Sequence, residues 1–338
     1  MANNRDWIRE TLAHKQTQAV PYNFMFTPPA QLSLEKYYNQ TDLEQVLKLP
    51  IRMSAPVSIK PLFADPAQFG EAIKDEFGVT WSTSCIDRGS PIGPCLAEPD
   101  LSNYTFPDAA EAYRFQGLED WCERSKDNCT IIWVGDLWER ATFMRGMEHI
   151  LTDLSVNPKF VEGLLRGLTD YILQTMHILF DSFTFDGVAL SDDYGTQKAM
   201  IMSPSHWRRL VKPLLAELYM FARQHGRTVF HHSCGNICPI IPDLIDIGLD
   251  ILHPIQPEAM DILKLKREFG RDLTFCGGIR TQDLLPRGTV QQVRDEVKKL
   301  KCQMGKDGGY ILEPGITIQA DVPLENIVAM IEEARKVD

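Results

Sequence analysis

The 338-residue chain is 44% hydrophobic and 24% charged, the balance of a water-soluble globular protein, and no apolar run in it is long enough to span a bilayer. A formal net charge of −11 with no clustered Lys/Arg face excludes a general nucleic-acid binder, because phosphate neutralisation needs basic side chains. Eight scattered cysteines, and an N-terminus without the apolar core of a secretory signal, point to reduced thiols and a cytoplasmic location.

In chain order, residues 5–18 read as a helix, 20–26 (Val-Pro-Tyr-Asn-Phe-Met-Phe) as a first strand, 32–49 as a helix and 51–59 as a second, weaker strand. Residues 63–107 are rich in Pro, Gly, Ser and Asp and read as an inserted irregular excursion that covers one end of the main fold. After a helix over 109–124 the rhythm is regular. Strands are expected at 130–134, 187–190, 228–233, 249–252, 273–276 and 310–312. Helices separate them, with the long one after 137 broken at Asn157-Pro158. Eight strands alternating with helices predict an α/β chain closed into a single (β/α)8 TIM barrel over 1–338. A doubly wound sheet would carry a glycine-rich turn after its first strand, and Phe26-Thr27-Pro28-Pro29 is not one.

Barrel chemistry sits at the carboxyl ends of the strands, and those ends are polar here: Asp136, Asp192-Asp193-Tyr194, His232 with Cys234, Gln256, Cys276 and Glu313. In Thr228–Asn236 (Thr-Val-Phe-His-His-Ser-Cys-Gly-Asn), strand alternation turns His232 and Cys234 to one face and His231 and Ser233 to the other. Imidazole and thiolate are zinc ligands, although the same pair also fits a buried His packed beside a structural Cys. Asp136 serves equally as a helix cap. Two adjacent carboxylates, Asp192 and Asp193, invite a cation or a raised pKa. Gln256 can satisfy loop backbone, Cys276 and His253 can be core, and Cys238 is a reserve ligand. Glu313 closes a site with His232 and Cys234 only through the fold; if it does, the metal has N, S and O donors and one open position.

The segments Lys74–Val79, Arg145–Glu148, Ser191–Gln197, Ser203-Pro204, His232–Asn236 and Tyr310–Gly315 resemble the uroporphyrinogen decarboxylase superfamily, and more closely its cobalamin-dependent methyltransferase branch. The resemblance implies a (β/α) barrel. The decarboxylases carry Arg-Gln-Ala-Gly-Arg soon after the first strand, where this chain has Phe26–Gln31, so the arginines that anchor a polycarboxylate are missing. The coenzyme M methyltransferases resemble it at His232 and Cys234, but their third zinc ligand, a cysteine after the last Pro-Gly, is Ile316 here, which leaves Glu313 as the substitute.

The resemblance therefore implies a zinc-dependent O-demethylase component. Zn2+ on His232, Cys234 and Glu313 polarises the ether oxygen of a methoxylated aromatic compound, and the methyl group passes to cobalamin carried by a partner corrinoid protein. Asp192, Asp193 and Tyr194 are the expected catalytic groups, and Gln197, Gln256 and Asp136 the expected substrate contacts. The alternatives are methyl transfer between a corrinoid and a thiol such as coenzyme M, a decarboxylase of the uroporphyrinogen type, or a non-catalytic tetrapyrrole or corrinoid carrier. Oligomeric state is left open, a homodimer being one form.

Overall fold

A computed structural model describes residues 3–337. Its ten strands are β1 (Ile51–Ser54), β2 (Ala72–Lys74), β3 (Thr80–Ser82), β4 (Pro91–Gly93), β5 (Cys129–Gly135), β6 (Gly187–Ser191), β7 (Thr228–His232), β8 (Ile251–Ile255), β9 (Thr274–Ile279) and β10 (Tyr310–Pro314). Seven of them form one parallel sheet in the order β1-β5-β6-β7-β8-β9-β10. Each step in that order follows the chain and is crossed by helix, the arrangement that curls a parallel sheet into a (β/α) barrel. Among the described residues no helix is long and apolar enough to cross a membrane.

The eighth position differs from a regular strand. Residues 20–26 run parallel beside β10, yet they pair only through isolated bridges at Tyr22↔Leu312 and Phe26↔Ile318. Pro21 has no N–H to give, so that stretch offers the sheet fewer donors than a continuous strand would. Its Pro21 carbonyl accepts from Leu312 N and its Asn23 N donates to Leu312 O. Among the described residues no ladder joins 20–26 to β1.

Strand ends explain where polar groups go. β8, β9 and β10 are buried at every position, as strands covered on both faces must be. Inside the barrel Ile51, Cys129, Ile131, Ala189, Phe230, Ile251, Cys276 and Ile311 pack into one apolar layer. Two residues further along each strand, alternation points Met53, Trp133, Ser191, His232, His253 and Glu313 into the next layer towards the mouth. His253 therefore belongs inside β8, which begins and ends later than the expected 249–252.

The excursion has a small fold of its own, an antiparallel sheet β2-β3-β4. A single carboxylate organises it. Asp75 accepts from the backbone N–H of Phe77 and Val79, from the Trp81 indole at 2.9 Å, and from Arg140 on the helix Trp138–Arg145 at 2.6 Å. A second tether runs from Arg88 to Glu139 at 2.9 Å, and Glu139 in turn accepts from Ser191 at the end of β6. The excursion thus lies over the carboxyl ends of β5 and β6. Elsewhere the break at Asn157 with Pro158 opening the next helix, the Ser203 cap, and the Thr289/Gln292 capping box stop and start the outer helices where the sequence changes period.

Candidate metal centre

β7 carries His232 to its end and Cys234 just beyond it, on the same face. The two meet with Cys234 Sγ 3.4 Å from His232 Nε2. Asp193, in the loop after β6, brings Oδ1 to 3.5 Å from the same Nε2. Bond lengths of about 2.0–2.3 Å put donors of a tetrahedral zinc roughly 3.4–3.6 Å apart, which is the spacing of both contacts to His232 Nε2. All three donor atoms lie within 4.8 Å of one another. His232 and Asp193 keep 20% and 34% of their side-chain surface exposed, so the group has an open side.

Electrostatics mark the same spot. Burial alone would lower the His232 pKa, but hydrogen bonds to Asp193 and Cys234 and their negative charge push it to about 10. For Asp193, burial is outweighed by the hydrogen bond and charge of His232 and by the Cys234 N–H, and its pKa falls to about 2. The triangle therefore grips a proton tightly, and a divalent cation would take that proton's place.

A second cluster stands behind the first. His253, Cys276 and Glu313 are fully buried, and their donor atoms also lie within 4.8 Å of one another. Cys276 Sγ donates to Glu313 Oε2 at 3.0 Å, Asn23 Nδ2 donates to Oε1 at 3.2 Å, and His253 Nε2 is 3.7 Å from Oε2 with no hydrogen-bond partner of its own. One 2.9 Å hydrogen bond between His232 Nδ1 and His253 Nδ1 joins the clusters. Burial raises the Glu313 pKa to about 7 against those two donors, while burial and the His232 charge hold His253 far below its usual range.

The structure thus joins His232 and Cys234, sets Asp193 beside them, and groups Glu313 with His253 and Cys276, one imidazole deeper. Asp192 and Tyr194 face away. Asp192 is fully buried, with Oδ1 accepting from the N–H of Leu137 and Glu139 and Oδ2 accepting from the Tyr194 hydroxyl at 2.8 Å. It caps the helix Trp138–Arg145 from a neighbouring strand, a role that Asp136, ion-paired to Arg140 at 3.4 Å, does not take. Tyr194 stacks on His231, whose Nδ1 meets the Tyr219 hydroxyl in the outer layer. Gln197 is exposed in the loop after β6. Gln256 clamps two mouth loops, accepting from Gly235 N at 2.7 Å and donating to Gly315 O at 3.2 Å, with Nε2 also 3.8 Å from Cys234 Sγ.

His253 and Cys276, read from the sequence as core, stand around Glu313, and the groups that sequence reasoning missed are Asn23 beside them and Glu139 with Arg88 near Asp193. Counting two residues on from Ile251 finds His253; Arg88 reaches the site from the excursion, and no local pattern announces it.

A family model described as uroporphyrinogen decarboxylase (URO-D) matches residues 119–337. Over 204 residues the chain is 22% identical to a methylated-thiol–coenzyme M methyltransferase of Methanosarcina mazei, covering 58% of this chain and 50% of that protein. Over 141 residues it is 28% identical to a uroporphyrinogen decarboxylase of Thermus thermophilus, covering 40% of this chain and 38% of that one. The chain therefore spans half or less of the length of the curated relatives it matches. A solved methyltransferase structure from Methanosarcina mazei superposes on 99% of this chain and 98% of its own at a TM-score of 0.71 and 18% identity, which is a likeness of fold.

Proposed function

The chain belongs to the uroporphyrinogen decarboxylase family, and from that premise we propose that it is a zinc-dependent methyltransferase that moves the methyl group of an aryl methyl ether to the cobalt of a corrinoid protein. The observation that carries this reading is the triangle of Asp193 Oδ1, His232 Nε2 and Cys234 Sγ, with tetrahedral spacing on both sides of His232 and an open side. Zinc bound there supplies a Lewis acid for an oxygen that must leave as an anion. A carboxylate in the donor set hardens that acid and suits an ether oxygen better than a thioether.

The protein's own groups do the rest. His232 presents Nε2, with its Nδ1 in a hydrogen bond to His253, the support that orients a ligating imidazole. Cys234 is held by the Asp193 bond to its N–H and by Gln256. Glu313, the carboxylate expected from the sequence as third ligand, stands 3.7 Å behind His253, and Asp193 takes the third place. In the net reaction the reduced cobalt, cob(I), supplies the electron pair of the new bond to the methyl carbon, the C–O bond breaks, and the phenolate keeps the electrons of that bond. A thiol acceptor is the second reading, favoured by the coenzyme M methyltransferase relative.

Elemental analysis of the purified protein and of Asp193→Asn, His232→Ala and Glu313→Gln tests the site. Near one zinc per chain is expected in the wild type and in Glu313→Gln, with zinc affinity lowered about tenfold or more in the other two. Zinc-free wild type, from a preparation without chelator, overturns the metal reading. Loss of zinc in Glu313→Gln with retention in Asp193→Asn exchanges the two carboxylates. Methyl transfer to a corrinoid protein from methoxyarenes, and not from methylated thiols, separates the two substrate readings.

A further inference from the structure

A cavity of about 150 Å3 lies between the strand ends of β1 and β5, the excursion and the helix Pro158–Ser182. Its size suits one substituted ring and is below the roughly 300–1,000 Å3 of ordinary ligand pockets, so it excludes a macrocycle. Three aromatic groups stand in its wall. Phe77, Trp133 and Tyr171 all line it; Phe77 and Tyr171 meet edge to face at 5.0 Å, and the Trp133 ring stands 6.4 Å from that of His232.

The charged lining is unevenly matched. Glu76 accepts from Ser58 at 2.7 Å, and Asp136 pairs with Arg140, which also holds Asp75. Each of those carboxylates already has a donor. Arg114, only 5% exposed, gives Nη1 to Ala109 O at 2.6 Å and Thr175 Oγ1 at 3.2 Å, leaves Nε unpartnered, and makes no ion pair among the described residues. Glu76 lines the same cavity but stands outside ion-pair distance of Arg114, and a buried guanidinium with no carboxylate in contact is costly unless something else brings one. Next to it, with its ring 4.7 Å from the guanidinium carbon, the 7%-exposed Tyr171 keeps a hydroxyl with no partner, and burial holds that phenol protonated and so a donor.

We propose that this cavity receives the acid end of the methyl donor: an aromatic carboxylate, its ring between Phe77, Trp133 and Tyr171 and its carboxylate answered by Arg114 and the Tyr171 hydroxyl. The proposal rests on the methyl-transfer reading for the identity of the ligand and not for its binding. It makes the substrate a methoxybenzoate, and neutral methoxyarenes poor ligands.

Calorimetric titration of 3-methoxybenzoate and of its neutral isostere 3-methoxybenzamide tests it, on wild type, Arg114→Gln, Tyr171→Phe and His232→Ala. The wild type is expected to prefer the acid by about tenfold or more, as a charge-assisted bond does. Arg114→Gln abolishes that preference with amide binding little changed, Tyr171→Phe reduces it several-fold, and His232→Ala retains it. Equal binding of acid and amide by the wild type, or a preference that survives both Arg114→Gln and Tyr171→Phe, overturns the proposal. A preference that stands while no methyl transfer occurs removes the methyl-transfer reading and leaves the cavity's ligand as assigned; methyl transfer without preference does the reverse.

Discussion

A buried carboxylate reports on its own surroundings through pH. Glu313 titrates near 7 in the folded protein and near its ordinary 4.5 when unfolded, because burial outweighs the donors Cys276 and Asn23. Its folded pKa is raised, so its contribution to stability is fully present below about pH 4.5 and is lost as pH rises through 7; the difference amounts to about 3 kcal/mol. In metal-free protein, Glu313→Gln is therefore expected to flatten the decline of stability between pH 5 and pH 8 and to gain on the wild type at pH 8. Urea unfolding of both proteins at the two pH values checks this, and parallel curves would refute the assignment. At this scale the sequence was legible where alternation alone decides, as for His232 and Cys234. It was not legible for Asp192 and Asp193, neighbours that point to opposite sides: one caps a helix from inside the core and the other faces the imidazole. Composition cannot tell which does which.

Loops between elements hold the site, and their backbones touch. A Cβ on Gly235, whose φ is +81°, would lie 2.4 Å from the Gly195 carbonyl carbon, and one on Gly195 would lie 2.6 Å from Asn236 N. Asn236 N donates to Thr196 O at 2.7 Å, so the loop after β6, which carries Asp193, and the loop after β7, which carries Cys234, are fastened to each other. Gly235→Ala is expected to cost more than the roughly 1–3 kcal/mol of an unfavourable backbone conformation and to lower zinc content with it. Gly226→Ala is the control, since its φ is also positive, +68°, but a Cβ there meets nothing within 4 Å. Thermal midpoints and metal content of the two variants separate strain from collision; equal losses would deny the loop contact a role. Nothing in the sequence marks Gly195 as the counterpart of Gly235, because the contact spans two βα units. Strand ends shifted for a related reason: β8 runs to Ile255 past a proline, with burial on both faces overriding the local signal.

Across the whole molecule, seven laddered strands make one mechanical unit, and the Asp193–His232–Cys234 triangle bridges the ends of two neighbours, β6 and β7. A ligand that binds only the folded form stabilises it by about 2.7 kcal/mol at a hundred times its Kd. Zinc is thus expected to raise the thermal midpoint by a few degrees, as a single shifted transition, in the wild type and not in His232→Ala. Differential scanning calorimetry with and without chelator checks it; a zinc-independent midpoint would count against the site. The barrel was legible in the alternation of elements because every strand repeats the same burial problem. The excursion was legible as a Pro/Gly-rich departure, but its internal sheet was not, since those three-residue strands are organised by one carboxylate, Asp75, and not by a period. The incomplete eighth strand carries a consequence of another kind. A ring of staves hooped all the way round has one circumference, whereas here 20–26 is stitched to β10 and, among the described residues, unlaced from β1. The width of the mouth on that side is set by side chains such as Tyr22, which reaches Leu47 O, and Asn23, which holds Glu313. Natural selection can therefore resize the opening by changing residues that never touch a substrate.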